Sequence, residues 1–193
     1  MYNPIDIFKV WEGGLASHGG AIALVIVLSI YAKKVVKKPY LWIFDRIVAP
    51  VAIAATFIRL GNLMNSEIVG RPTDLPWGFE FIHYFNDTTR QFDPTPRHPA
   101  QLYEAIMYLI IFGILMYMFW KKEAWKQPGL LFGTFLILLF GCRFFVEFIK
   151  VGQTAFDETL TINTGQWLSV PFVLAGISIV IWSFLNKNKS ISQ

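Results

Sequence analysis

Long apolar stretches dominate this sequence and limit what it can fold into. Hydrophobic residues make up 54% of it and charged residues 16%, with a mean hydropathy of +0.47, more apolar than an ordinary soluble domain. About five stretches approach the ~20 residues that a helix needs to cross the hydrocarbon core of a bilayer. They cover residues 15–33, 42–60, 100–120, 128–149 and 166–186. The sequence predicts an all-α, polytopic helical membrane bundle, built as a single domain over residues 1–186.

The basic residues between these stretches predict the topology. Lysines follow the first, third and fifth stretches, at Lys33, Lys34, Lys37, Lys38, Lys121, Lys122, Lys126, Lys187 and Lys189. If the five helices alternate in direction, these positions share one side, which the positive-inside rule assigns to the cytoplasm. The polar tail 187–193 is then cytoplasmic, and we expect it to be disordered, while the loops 61–99 and 150–165 lie outside. The net charge of +4 is therefore explained by lysines on the cytoplasmic side of the membrane. No nucleic-acid partner is expected.

The loop at residues 61–99 combines chain-breaking residues with aromatic ones. Glycine and proline recur along it and prevent a continuous helix. The aromatic side chains suit the headgroup region of a bilayer; they are Trp77, Phe79, Phe81, Tyr84 and Phe85. We interpret this loop as a structured lid or arm at the outer interface.

Two arginines at the ends of apolar stretches point to an anionic ligand. Arg59 closes the stretch 42–60, and Arg143 lies inside the stretch 128–149. A charge in the hydrocarbon region costs from ~3 to ~10 kcal/mol, so such residues usually face the interior of a bundle, where a partner or a ligand neutralises them. In a bilayer the obvious anion is a phospholipid phosphate, which favours lipid headgroup chemistry.

In the segment at residues 59–71, polar side chains and a glycine follow Arg59 closely. They are Asn62, Glu67 and Gly70, all within eleven residues. Arginine offers a planar fork that matches phosphate oxygens, and asparagine adds neutral donors. The alternative is simple helix termination, with Gly61 as the stop and Arg59 reaching to the interface.

The segment at residues 13–20 reads GGLASHGG and is a second candidate site. Its glycines allow the backbone to approach a ligand closely beside the imidazole of His18. The simpler alternative is a flexible helix start with a histidine at the water interface.

The chain has a single cysteine, Cys142, which lies in a membrane stretch. Because there is only one, a disulfide framework and a thiolate cluster for a metal are excluded.

The segment at residues 97–104 predicts a helix start. Pro99 suits the first helical position, and His98, Gln101, Tyr103 and Glu104 surround it. Gln101 and Glu104 lie three apart and therefore share a helix face. A structural role, tying the loop to the helix, is as good an explanation as a catalytic one.

Arg143 and Glu147 are four residues apart, so they lie on one helix face and can neutralise each other. Such a pair is the structural alternative for this segment. If Arg59 approaches from another helix, two cations face one carboxylate and retain the capacity to bind an anion.

Taken in order, four motifs resemble the prolipoprotein diacylglyceryl transferase family. They are GGxxxHGG at 13–20, RxGNxxNxExxG at 59–70, HPxQLYE at 98–104 and RxxxE at 143–147. The resemblance covers nearly the whole chain. Two departures accompany it: members of that family carry about two further membrane segments before the first motif, and some carry a tyrosine where this chain has Leu139.

The resemblance implies a reaction and roles for the motif residues. A diacylglyceryl group moves from phosphatidylglycerol to the lipobox cysteine thiol of a preprolipoprotein, with no metal or organic cofactor. By position, Arg59 and Arg143 would hold the phosphate, and Asn62 and Gly70 would shape that pocket. Catalytic roles would also fall to His18, as base or headgroup ligand, and to Glu67 and Glu147, which would orient the arginines. His98, Gln101, Tyr103 and Glu104 would support the site. The implied location is the bacterial inner membrane, with the active site toward the outer leaflet.

A different class of function uses the same arginines. A non-catalytic transporter, or a scaffold that binds anionic phospholipid, would also need cations at a lipid phosphate. The arginines fit both classes, whereas the His18 and 59–70 motifs favour the enzyme. Structural pairing of all the charges is disfavoured because they cluster on the predicted outer side.

Overall fold

The computed structural model describes residues 17–82, 84–86, 91–151 and 163–191, and most of them are helical. The helices are α1 (Ser17–Tyr31), α2 (Tyr40–Met64), α3 (Ala100–Trp120), α4 (Leu130–Val146) and α5 (Thr164–Ile191). A π-helical turn at Ala32–Val36 follows α1, and 3₁₀ turns lie at Ala124–Lys126 and Glu147–Ile149. A two-residue hairpin pairs β1 (Phe85–Asn86) with β2 (Gln91–Phe92). The all-α prediction is confirmed.

Among the residues that the structure describes, four helical spans are long and apolar enough to cross a membrane. They are Tyr40–Met64, Ala100–Trp120, Leu130–Ile149 and Gly165–Asn186. The remaining predicted stretch, 15–33, corresponds to the 15-residue helix α1. Two boundaries need correction. Helix α2 runs through Gly61 to Met64, so Gly61 does not end it, and α5 continues to Ile191, so the tail is helical that far.

The chain divides into two compact units, Met1–Ile43 and Phe44–Gln193. In the first, α1 passes into the π-helical turn, which ends where Lys37 adopts a left-handed conformation with φ of 56°. The Lys38 amide then donates to the Ala32 carbonyl at 3.2 Å. The single domain over residues 1–186 stays a prediction.

The second unit is an antiparallel helical bundle with an apolar core. Its buried residues come from α2, α3, the turn at Ala124 and α4; they are Val48, Ala52, Tyr108, Ile111, Leu115, Ala124, Leu130, Leu131, Phe135 and Leu136. Large apolar side chains also cover the outside, as expected where lipid replaces water. Only 17% of the most apolar part of Gly165–Asn186 is buried inside the protein.

Helices α4 and α5 pack closely because glycines face each other. A Cβ built on Gly133 would lie 2.9 Å from the Gly176 carbonyl oxygen, and one on Gly176 would lie 2.8 Å from the Gly133 oxygen. Small residues of this kind let helix backbones approach in membranes, where packing drives association. This contact fixes α4, the helix that carries Arg143.

Gly133→Ala is expected to lower the free energy of unfolding by about 1–3 kcal/mol, because the added methyl meets backbone that cannot move independently. Gly113→Ala is the matched control: Gly113 lies inside α3 with no atom within 4 Å of the added Cβ. It should leave stability unchanged or raise it, since alanine favours a helix over glycine. Unfolding in detergent measures both variants, and equal effects would contradict the packing argument.

At one end of the bundle, Asp45 of α2 caps α4 across the helix interface. Its two carboxylate oxygens accept hydrogen bonds from the Gly129 amide at 2.6 Å and the Phe132 amide at 2.8 Å. Free amides and the positive end of the helix dipole make this position favourable for a carboxylate. We call this the Asp45 end; the opposite end, which holds Glu104, is the Glu104 end. No motif in the sequence indicates this cap.

The described part of the loop between α2 and α3 is held by backbone pairing at the Glu104 end. Residues 69–72 pair with 97–98 on one side and with 149–151 on the other. Asp93 binds Arg97 at 2.5 Å, and hydrogen bonds from Thr95 and Arg97 hold the pKa of Asp93 well below its usual range. These contacts agree with a structured arm.

Candidate functional site

A buried carboxylate, Glu104 of α3, organises the Glu104 end. Its side chain is 0% exposed. One oxygen, Oε2, lies 3.0 Å from Arg59 Nε, and the other, Oε1, lies 2.9 Å from Lys150 Nζ. The Tyr108 hydroxyl, one turn further along α3, donates to the same Oε1 at 3.4 Å. Glu104 thus joins α2 to the chain that follows α4.

Arg59 of α2 and Arg143 of α4 both lie within electrostatic range of the Tyr108 hydroxyl. Arg143 lies in the last turn of α4, and its Nε is buried with no hydrogen-bond partner among the described residues. A buried donor of this kind is costly unless a ligand satisfies it.

The carboxylate of Glu147 does not pair with Arg143. Its Oε2 lies 3.5 Å from Lys150 Nζ, and no ion pair joins it to Arg143 in the described structure. The helix changes to a 3₁₀ turn at Glu147–Ile149, which carries the glutamate toward Lys150. The self-neutralising Arg143–Glu147 pair considered from the sequence is therefore not formed.

The cluster brings cations and carboxylates together. Arg59, Arg143 and Lys150 accompany Glu104 and Glu147 in this part of the described chain, and Glu67 lies beyond Asn62. Exposed fractions of 15% for the Arg59 side chain and 3% for that of Lys150 leave little water to screen them. An uncompensated cation in such surroundings favours an anionic ligand.

Arg59 is also linked to the segment that follows α2. Its Nη1 donates to Asn62 Oδ1 at 3.5 Å, and Asn62 Nδ2 donates to Glu67 Oε2 at 2.8 Å. Gln101 of α3 donates to the Glu67 carbonyl oxygen at 2.6 Å. Glu67 therefore acts on Arg59 through Asn62, whereas Glu104 contacts Arg59 directly.

Gly70 lies where three segments meet. Its amide donates to the His98 carbonyl oxygen at 3.0 Å, and a Cβ at this position would lie 2.4 Å from that oxygen. Any larger residue would push apart the arm and the start of α3. In the first turn of α3, the Tyr103 hydroxyl accepts a hydrogen bond from Trp77 Nε1 at 2.9 Å and lies 3.3 Å from His98 Nδ1.

His18 lies in the first turn of α1, in the first unit. Its side chain falls outside the described residues, so its predicted role stays a prediction. His83 also lies outside the described residues. Among the described residues, no group of three His, Cys, Asp or Glu side chains could hold a metal ion.

Two members of the cluster were not predicted from the sequence. Lys150 was assigned to an outer loop, although its position three residues after Glu147 at the end of an apolar stretch was a usable signal. Tyr108 resembles the other aromatic residues of α3, and only its spacing of four from Glu104 distinguishes it.

An apolar cleft of about 240 Å³ lies between α4 and α5. Phe144, which follows Arg143 directly, is part of its lining, together with Gly141, Phe145, Val170, Val173 and Leu174. A cleft of this composition suits a hydrocarbon chain.

These features define a multi-pass helical membrane protein with a cluster of buried charged side chains at one end of its bundle. The family described as prolipoprotein diacylglyceryl transferase matches residues 1–182 of the chain. This chain belongs to that family and is a transferase of lipoprotein maturation.

Curated relatives carry the name phosphatidylglycerol–prolipoprotein diacylglyceryl transferase. The one from Tolumonas auensis is 46% identical over 187 residues, which is 97% of this chain and 69% of that protein. The one from Porphyromonas gingivalis is 46% identical over 194 residues, covering 96% and 68%. The one from Chloroherpeton thalassium is 44% identical over 183 residues, covering 95% and 65%. The chain therefore spans roughly two thirds of the length of these relatives.

Proposed function

We propose that this chain transfers the diacylglyceryl group of phosphatidylglycerol to the lipobox cysteine thiol of a preprolipoprotein. The cysteine sulfur attacks the phosphate-bearing carbon of the diacylated glycerol and forms a thioether bond to it. The carbon–oxygen bond to the phosphate breaks, and glycerol phosphate leaves with the bonding electrons. The thiol proton passes to a base. The reaction balances without an oxidant, a reductant or a cofactor.

The buried Nε of Arg143, which has no partner among the described residues, supports this proposal most directly, together with Arg59 from another helix. In the proposed reaction, Arg59 and Arg143 bind the phosphate and stabilise the charge that develops on the departing glycerol phosphate. Preorganised cations act most strongly where little water is present to screen them. Asn62 and Gly70 shape the pocket, and an acyl chain of the donor lies in the cleft between α4 and α5.

The carboxylates and the α3 residues position the cations in this proposal. Glu104 holds Arg59 directly, while Glu67 acts through Asn62 and Glu147 through Lys150. Gln101 fixes the Glu67 backbone, and His98 and Tyr103 tie the arm to the start of α3. None of these residues needs to touch the reacting atoms.

His18 serves as the base for the thiol or as a ligand of the glycerol headgroup. A thiol is a weak nucleophile until it loses its proton, and imidazole has a pKa suited to accept it near neutral pH. The motif at residues 13–20 supports this assignment by resemblance alone.

We further propose that the protein lies in a bacterial inner membrane, with the Glu104 end toward the outer leaflet. The lysines after the first, third and fifth predicted stretches support this orientation through the positive-inside rule. A secreted preprolipoprotein would meet the site on that side.

The transfer is tested with purified protein, phosphatidylglycerol and a peptide that contains a lipobox cysteine. We expect the peptide to gain the mass of one diacylglyceryl unit and glycerol phosphate to appear in equal amount. A peptide with serine in place of that cysteine is the control and should gain nothing. Binding of phosphatidylglycerol with no mass gain would favour the non-catalytic scaffold or transporter.

A further inference from the structure

Two cations near Glu147 in the sequence, Arg143 and Lys150, are candidate partners for its carboxylate. Four residues separate Glu147 from Arg143, a spacing at which glutamate and arginine commonly pair along a helix. Its carboxylate instead lies 3.5 Å from Lys150 Nζ. Lys150 is itself anchored by Glu104 Oε1 at 2.9 Å.

The surroundings of Glu147 hold it in this place. Asn163 Nδ2 donates to its carbonyl oxygen at 3.4 Å. Gly165 packs directly against the side chain, and a Cβ on Gly165 would lie 2.6 Å from the carboxyl carbon. The α5 start therefore presses on Glu147 from one side while Lys150 attracts it from another.

We propose that Lys150 is a positioning residue that keeps Glu147 away from Arg143. By binding both Glu104 and Glu147, it leaves the Arg143 guanidinium for an anionic lipid phosphate. Lys150 acts through its neighbours and does not itself contact the reacting atoms. This inference rests on the proposed function, because it gives Arg143 the phosphate as its ligand.

Without the lysine ammonium, Glu147 would lose its partner in a poorly hydrated site. Arg143, four residues earlier in the chain, is an alternative partner, and pairing with it would relieve the unpaired carboxylate. The same pairing would neutralise the cation on which the phosphate depends. Loss of Lys150 should thus weaken lipid binding through Glu147, and removal of the Glu147 charge should reverse the loss.

The test measures binding of phosphatidylglycerol to the purified full chain in phosphatidylcholine nanodiscs, together with the KM and kcat of transfer. Lys150→Met should weaken phosphatidylglycerol binding by about tenfold, within the usual range of coupling between neighbouring charges. Adding Glu147→Gln to Lys150→Met should recover about threefold or more of that loss. Glu147→Gln alone should leave phosphatidylglycerol binding unchanged or weaken it. The same substitution should therefore strengthen binding only when Lys150 is already replaced by methionine.

Lys150→Arg retains the cation and should bind close to wild type, which separates the charge from the shape of the side chain. The matched control is Lys126→Met, because Lys126 forms an exposed i,i+3 pair with Glu123 at 2.6 Å and should leave binding unaltered. Melting temperatures identify any variant that fails to fold.

Two results would overturn the inference: a double variant that binds no better than Lys150→Met, or a Lys150→Arg variant as weak as Lys150→Met. The proposed function fails separately, if the wild type binds phosphatidylglycerol but transfers nothing to the peptide. The strengthening of binding by Glu147→Gln in the Lys150→Met background can still appear in that case.

Discussion

Replacing Arg143 with lysine is expected to lower kcat for diacylglyceryl transfer by about 100-fold or more, although the positive charge is retained. The planar guanidinium offers several donors in a fixed fork, whereas lysine offers a compact ammonium on a flexible chain. Arg143 has a buried Nε without a partner in the described structure, so the geometry of its donors is the property that the substitution removes. Turnover of a lipobox peptide with phosphatidylglycerol measures the effect.

Arg46→Lys is the matched control for this substitution. Arg46 lies in α2 at the Asp45 end of the bundle, beside the end of α3, and takes no part in the proposed site. We expect its turnover to stay close to that of the wild type. Wild-type turnover in Arg143→Lys would remove Arg143 from the phosphate site, whereas a large loss in both variants would indicate a general effect on the bundle.

The second large effect is expected for Glu104→Gln. This change should lower the free energy of unfolding by about 3–5 kcal/mol, because removing one member of a buried ion pair leaves its partner, Arg59, uncompensated. Arg59 and Lys150 would both lose their shared carboxylate. Transfer should fall as well, since Arg59 would no longer be held in place. Equilibrium unfolding in detergent and the transfer assay measure the two effects.

Glu123→Gln is the corresponding control. Glu123 also pairs with a lysine, Lys126, at 2.6 Å, but the two side chains are 57% and 52% exposed. An exposed pair contributes little, so stability should change by no more than about 0.5 kcal/mol. Equal losses in the two variants would mean that burial does not set the importance of Glu104.

The membrane helices could be predicted closely because hydropathy is a local property. The third stretch was placed at 100–120 and the helix is Ala100–Trp120. The hydrocarbon of the bilayer favours apolar side chains and requires that each backbone hydrogen bond be made within the helix. Both conditions apply to each helix separately and do not depend on its neighbours. The errors fall at ends such as Gly61, where a glycine that can stop a helix also fits within one.

The sequence by itself determined that this chain forms membrane helices with cations at their ends, and its motifs indicated the family. The tertiary structure decided which charges meet. Glu104 and Lys150 are 46 residues apart, and Asp45 caps an amide 84 residues away. Spacing along one helix left Arg143 open as a partner of Glu147. The structure pairs Glu147 with Lys150 instead, where α4 ends in a 3₁₀ turn and Gly165 packs against the glutamate side chain. Such choices depend on distances between separate helices, and those distances exist only after the bundle has packed.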